Sequence, residues 1–401
     1  MKVWKKLSIA LLALLVLSQI PFAYRRYKLS HLKVTIQQLN SQRIPSLDSS
    51  FTEYKGVIHV HSFLGGHSSG SFQEIIEAAK ANELQFVVMT EHPAKEFNTA
   101  EMTLKGEHAA ILFVNGNEAA TIEGDRLLVV PGDVLTGLSS NRSTRSVIEQ
   151  AKCGGKLTVV AYPEDFKSWD IDGYDALEVY NVYTNARRIN PIIALFDTLW
   201  SYRSYRDLLF ANFYTRPSSE LAKWDDATRS RRVTGLAGND AHSNIGLSLN
   251  DSAGRTLLGV KLDPYATSFH LVRVHALIPQ GSPLEETTLV EALKMGHCFI
   301  GFDLFGDTSG FSFTAKNSVD RRIQGDEIAL VNEVHLSVSS PIPATIVLFK
   351  DGKSIQEETG TSKREFVVSE RGTYRVEAYL PQLGHRVGER PWIISNPIYI
   401  R

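Results

Sequence analysis

The sequence carries His59-Val60-His61 and, six residues after His61, His67. Alternate residues of a strand point to the same face, so two imidazoles one strand step apart project together as half of a metal site. Partners for that half-site are available in Thr90-Glu91-His92, in Gly116-Asn117-Glu118 and in Asn239-Asp240-Ala241-His242. A mixture of imidazoles and carboxylates suits zinc, manganese or iron, and a bridging carboxylate suits a centre with more than one ion. The candidate metal-ligating residues are therefore His59, His61, His67, His92, Glu118, Asp240 and His242.

These residues must be brought together by the elements that carry them. Gly56–His61, Leu84–Met89, Ile111–Val114, Leu127–Val130, Leu157–Ala161, Ala176–Tyr180 and Val233–Ala237 read as short strands. Helical stretches separate several of them; Ser71-Phe-Gln-Glu74 forms a capping box that opens one. Residues 186–232 read as helical, with Ile192, Ile193, Leu195, Phe196 and Leu199 marking an apolar face. This alternation predicts an α/β fold with parallel strands, plausible as a barrel. The candidate ligands sit at or just beyond the carboxyl ends of their strands, the face on which barrel sites assemble.

Composition narrows the function classes. The 401-residue chain has 43 Lys and Arg against 44 Asp and Glu, which argues against a nucleic-acid binder that relies on bulk electrostatics. Two cysteines, Cys153 and Cys298, are too few for a disulfide framework and resemble neither a nucleophile nor a zinc pair. At the N-terminus Lys2, Lys5 and Lys6 precede an almost uncharged run, Leu7 to Tyr24, closed by Arg25, Arg26 and Lys28. This reads as an uncleaved signal anchor over 1–28, with a polar, aperiodic juxtamembrane stalk over 29–51 and a globular part outside the cytoplasm. The α/β unit is expected over 52–309. Alternating segments at Val334–Val338, Ala344–Phe349, Arg364–Val368 and Tyr374–Ala378, with turns at Asp351-Gly352 and Arg371-Gly372, predict a small immunoglobulin-like β-sandwich over 310–401.

Taken in order, His59-x-His61, His67, Glu91-His92, Glu118 and Asp240-Ala241-His242 resemble the motifs of the PHP (polymerase and histidinol phosphatase) metallohydrolases. Trp224-Asp225, Gly238-Asn-Asp-Ala-His-Ser243 and Pro391-Trp392-Ile-Ile-Ser-Asn396-Pro397 resemble a carbaryl-hydrolase-like branch whose members also carry a C-terminal β domain. The resemblance implies a distorted (β/α)7 barrel and a site of up to three divalent ions. His59, His61, Glu118 and Asp240 would hold one ion and His67, His92 and His242 another. Glu118 would bridge to a third, so that Glu118 and Asp240 are the catalytic carboxylates. The family's third ion takes two further histidines, and this chain has Arg126 and Tyr162 there. Two ions are therefore expected, with the third site lost or weakened.

The implied reaction is attack of metal-bound hydroxide on a phosphoester or on a carboxyl or carbamate ester. Arg126, Tyr162 and Asn181 are the candidate substrate-binding residues for a small or phosphorylated molecule, and Glu178 could orient a ligand from behind. Loss of the third-ion histidines leaves a second class open: a non-catalytic, metal-dependent binding or sensing protein. His275, in a run that reads as a strand, is expected to be a packed histidine, and Trp224-Asp225 a helix-packing feature.

Overall fold

The computed structural model describes residues 2–45, 50–133, 141–244, 246–250, 256–261 and 263–401. The strands that bear the site are β1 (Phe51–Val60), β2 (Phe86–Met89), β3 (Ile111–Val114), β4 (Asn117–Ala120), β5 (Arg126–Val130), β6 (Leu157–Ala161), β7 (Ala176–Asn181) and β8 (Thr234–Ala241). Their cores are apolar on both faces, as a sheet covered by helices requires. The order β3-β2-β1-β8-β7-β6 is parallel throughout. Beyond β6 the sheet reverses: β5 runs antiparallel to β6, and β4 antiparallel to β5. A bridge from Asn117 to Glu91 then returns to the end of β2, so the sheet closes on itself.

The α/β character holds, but the expected all-parallel series does not. The connection from Ala120 to Arg126 is a tight turn, too short for the crossover that parallel neighbours need, and it forces an antiparallel hairpin. The first half of β1 also pairs antiparallel, with β9 (Arg273–Pro279). At the change of partner stands Gly56, where a Cβ would lie 2.4 Å from the ring of Phe86. A side chain there would push β1 off β2.

The N-terminal helix α1 spans Lys2–Ser41, and its part from Val3 onward is long and apolar enough to cross a membrane. Residues 29–41, expected as an irregular stalk, continue this helix; positions 46–49 lie outside the described residues. The reason is visible in the spacing of Leu29, Leu32, Ile36 and Leu39, an apolar stripe at helical period. Leu29, Ile36 and Leu39 are buried in the main core. Helix α2 (Phe72–Ala81) starts at the Ser71/Glu74 capping box as expected. Helix α3 (Pro191–Tyr205) packs on α1, and α4 (Ser218–Ser230) lies over β7.

The C-terminal region is built of strands, yet it is not a separate sheet. Strand β10 (Cys298–Gly301) pairs with β9 on one side and with β14 (Pro391–Ser395) on the other, carrying the hydrogen-bond ladder from one region into the next. Val334–Val338 and Ala344–Phe349 form one long strand, β11 (Val334–Lys350), with an irregular register after Ser339. It returns as β12 (Lys353–Val368) through Asp351 and Gly352, both at positive φ (50° and 82°), the hairpin turn this dipeptide favours. Strand β13 (Gly372–Tyr379) pairs with both β11 and β14. Buried Arg375 on β13 grips Asp225 of α4 through two hydrogen bonds (2.7 and 2.9 Å) and also bonds Glu377 (2.6 Å). Asn396 accepts from Gly235 N at 2.7 Å and donates to Cys298 O at 2.8 Å, pinning the chain end to β8 and β10. Trp224 donates to Val233 O, so Trp224-Asp225 acts in packing.

Candidate metal centre

His59 lies at the end of β1 and His61 directly follows the strand, Glu118 lies on β4, and Asp240 lies on β8. They do not sit on regular strand backbone. His59, Tyr162, Asp240 and Ser243 are non-glycine residues at positive φ (63°, 51°, 47° and 51°). Pairing of β1 with β8 skips from Ile58–Gly238 to Val60–Ala241, so one extra residue is inserted on the β8 side. Such left-handed positions cost roughly 1–3 kcal/mol each and persist where the surroundings over-determine them. At His59, Tyr162 and Asp240 they accompany side chains that meet at one point of the rim.

Two carboxylate oxygens occupy the centre. Glu118 Oε2 stands 3.2 Å from His59 Nε2, 3.4 Å from His61 Nε2 and 3.5 Å from His92 Nδ1. Asp240 Oδ1 stands 3.6 Å from both His59 Nε2 and His61 Nε2 and 3.4 Å from His242 Nδ1. Two ligands about 2.1 Å from a shared tetrahedral ion lie about 3.4 Å apart. Both ring nitrogens of His61 and Asp240 Oδ1 are buried without a hydrogen-bond partner, which is costly unless a cation satisfies them. His59, His61 and Glu118 form one group able to hold an ion, and His61, His92 and His242 a second. The donor set fits a divalent ion of the zinc, manganese or iron class.

The protonation states of His61, His92, Glu118 and Asp240 agree with ligation. Burial draws the His61 imidazole down to about 4, and burial together with the neighbouring His61 draws His92 down to about 3, so both are neutral at pH 7. Burial pushes Glu118 up, but the hydrogen bond from His59 and the surrounding imidazoles outweigh it and hold the carboxyl at about 2. Asp240 is likewise held far below the carboxylate range by His59, His61 and His242 against the effect of burial. Neutral imidazoles and ionised carboxylates are the ligand forms.

A second layer fixes this arrangement. His59 Nδ1 donates to Glu178 Oε1 at 2.7 Å, which directs Nε2 to the centre. Burial opposes charge on His59, yet Glu178, Asp240 and Glu118 raise its pKa well above the ordinary value, so this imidazole, unlike His61 and His92, would have to give up its Nε2 proton to an incoming ion. Asn181 donates to Glu178 Oε2 at 3.0 Å and caps the helix Val182–Arg187 through Thr184 N at 2.9 Å. Its amide is thus committed to support, and it does not line the cavity over the centre where a substrate contact was expected. Glu91 turns away from the centre and accepts from Ser62 N and Thr103 Oγ1, tying the end of β1 to the segment after β2. Tyr265 Oη donates to His61 O at 2.6 Å. Tyr265 was missed from sequence because it stands more than 200 residues from its partner with no motif around it.

A cavity of about 660 Å3 opens over the centre, lined among others by His67, His92, Glu118, Arg126, Tyr162 and His242. His67 stands at its wall, with its ring 5.1 Å from that of His92. Its expected place beside His92 and His242 is taken by His61 in the tighter group. Tyr162 donates to Asp240 Oδ2 at 2.7 Å, and burial beside Asp240 raises its pKa, so the phenol stays protonated. Arg126 Nη1 lies 3.6 Å from Glu118 Oε1. A guanidinium and a phenol therefore border the two carboxylates.

No family model and no curated protein matches the sequence. Among solved structures, PsfC from Pseudomonas syringae PB-5123 aligns over 60% of this chain and 88% of its own, at 12% identity and a TM-score of 0.31. Similarity at that level carries neither fold nor chemistry, and the reading of the site rests on its own geometry.

Proposed function

We propose that the protein is a membrane-anchored, metal-dependent hydrolase of PHP type that cleaves a phosphoester, with a carboxyl or carbamate ester as the other candidate substrate. The observation that carries this reading is the convergence of Glu118 Oε2 and Asp240 Oδ1 on four imidazoles, with buried donors left unpaired. His59, His61, Glu118 and Asp240 would hold one ion, and His92 and His242, with His61 or His67, a second. Such ions supply Lewis-acid activation of water and of the scissile group. Arg126 faces the cavity and can pair with a phosphoryl oxygen in a charge-assisted hydrogen bond, which favours the phosphoester over a neutral ester. The Tyr162 hydroxyl holds Asp240 in place and excludes water from its outer oxygen. Glu178 keeps the His59 proton on Nδ1.

One observation favours the alternative, a binding or sensing protein: Arg126 and Tyr162 stand where the PHP resemblance puts ligands of a third ion. Metal content of the purified full chain, with turnover of aryl phosphates and aryl esters, separates the two. The expected result is about two divalent ions per chain and phosphatase activity, both lost in His61→Ala while the unfolding transition stays cooperative. One ion or none, with no hydrolysis of either substrate class, overturns the hydrolase.

A further inference from the structure

Helix α3 presents three different sides. Toward α1, Phe196 stacks on Phe22 with ring centroids 5.0 Å apart, Trp200 Nε1 donates to Gln19 Oε1 at 3.0 Å, and buried Asp197 pairs with Arg25 at 2.6 Å. Toward the centre, Thr198 and Tyr202 line the cavity. At about 100° per residue, the stripe lying between those two sides is Ile192, Leu195 and Leu199, which are 65%, 49% and 71% exposed. The apolar face read from the sequence is thus largely bare. Isolated exposed aliphatics are ordinary, whereas a contiguous stripe marks a surface that is covered in use.

What covers it follows from its neighbour. The contacts with α1 fall at residues 19–25, the last turns of the apolar run and its first arginine, where a spanning helix meets the interface. Trp200 sits at that level, and Arg26 donates to Trp200 O and Ser204 Oγ, so cations and an indole gather there as interfacial anchors do. With α1 as the span, these contacts put the adjoining stripe close to the level of the bilayer surface. The cavity wall continues the apolar character inward through Leu209, Phe210 and Phe213, while Arg126 and Arg206 provide positive charge.

Resting on the reading of α1 as a membrane span and of the centre as a metallohydrolase, we propose that α3 lies in the interface of that bilayer and that the substrate is a membrane-resident phosphate ester. Its phosphate reaches the histidine and carboxylate cluster beside Arg126, and its tail lies along Leu209, Phe210 and Phe213. For a phosphatidate, water adds to phosphorus, the bond from phosphorus to the glycerol oxygen breaks and that oxygen takes a proton, giving diacylglycerol and inorganic phosphate.

The experiment uses the full chain, loaded with metal, in phosphatidylcholine nanodiscs. In a Cys153→Ser background, a nitroxide on Leu199→Cys is expected to collide with oxygen and be shielded from an aqueous nickel chelate, and one on Val319→Cys to show the reverse. A Leu199 label open to the nickel chelate, or shielded from both reagents as under a protein partner, overturns the membrane seat. Dioleoylphosphatidate in the same discs and aqueous p-nitrophenyl phosphate form the second arm. Leu195→Ser/Leu199→Ser is expected to lower phosphatidate turnover about tenfold and to leave p-nitrophenyl phosphate turnover unchanged. Turnover of the soluble ester alone, or equal loss on both, overturns this inference and spares the hydrolase; no turnover of either overturns both.

Discussion

The site works only if imidazole orientation is fixed before an ion arrives, and Glu178 is the residue that fixes it. Its carboxylate accepts the hydrogen bond from His59 Nδ1 at 2.7 Å and is itself held by Asn181. Partners of this kind typically contribute 10–100-fold to metal affinity or activity. Glu178→Gln is therefore expected to weaken metal affinity by roughly that factor, measured by competition with a chromophoric chelator, with little change in unfolding temperature. Arg126 makes a different claim. If its guanidinium replaces the charge of a missing ion, Arg126→Ala lowers kcat/KM for an aryl phosphate by about 10–100-fold and leaves an aryl ester nearly unaffected; equal loss on both would assign it to general packing. At this scale the convergence of His59, His61, His92, Glu118, Asp240 and His242 was legible, though not the outlying place of His67, because chemistry limits the residue types and the motifs fall at strand ends. The roles of Asn181 and Tyr265 were not, because a side chain's partner depends on geometry that spacing does not encode. Asn181 looked like a pocket residue and serves as a cap and a brace.

Between elements, the junction of β1, β9 and the segment after β10 is held by His275. Its Nδ1 donates to Glu53 Oε1 at 2.7 Å, and Nε2 stands 2.9 Å from Thr308 Oγ1, which itself donates to Asp303 Oδ1 at 2.6 Å. A hydroxyl that gives its proton to Asp303 accepts from His275, so both ring nitrogens carry protons. Burial lowers the pKa of this imidazole, but Asp303 and Glu53 overcome that and raise it to about 9 from 6.5. A raised histidine stabilises the fold fully below pH 6.5, and the contribution disappears as pH climbs through 9. The gap corresponds to at most about 3 kcal/mol. Urea unfolding at pH 6 and pH 9.5 is expected to show a drop in stability in the parent chain that is much smaller in His275→Gln. A parallel drop in both chains would remove His275 as its source. Nothing in the residue pattern signalled this network beyond a histidine on a strand. Strand existence was readable from apolar runs, while the reversal at β5 and the joining of β10 to β14 follow from a turn length and a non-local pairing that no local pattern reports.

For the molecule as a whole, the decisive point is that α1 belongs to two environments. Its first part is bare and apolar, and its last part, from Leu29 to Leu39, is buried in the core, with Asn40 accepting from Asp307 N at 3.0 Å. The sequence showed the first part plainly because a run without charges needs no partner to be recognised. The second part is polar in composition, and only the spacing of Leu29, Leu32, Ile36 and Leu39 betrays a buried stripe. Fully burying one such side chain contributes about 1.5–3 kcal/mol, so Leu29, Ile36 and Leu39 together supply an amount comparable with the 5–15 kcal/mol that holds a typical protein folded. A chain beginning at Arg25 keeps these residues and the Arg25–Asp197 pair. It is expected to be soluble in mild detergent and to unfold cooperatively within a few degrees of the parent. A chain beginning at Gln42 loses them and is expected to unfold far lower or to aggregate. Equal unfolding temperatures for the two truncations would show that residues 29–41 are a tether; unequal ones make residues 29–41 part of the folded unit, so that the apolar first part of α1 is joined to the core by a continuous helix.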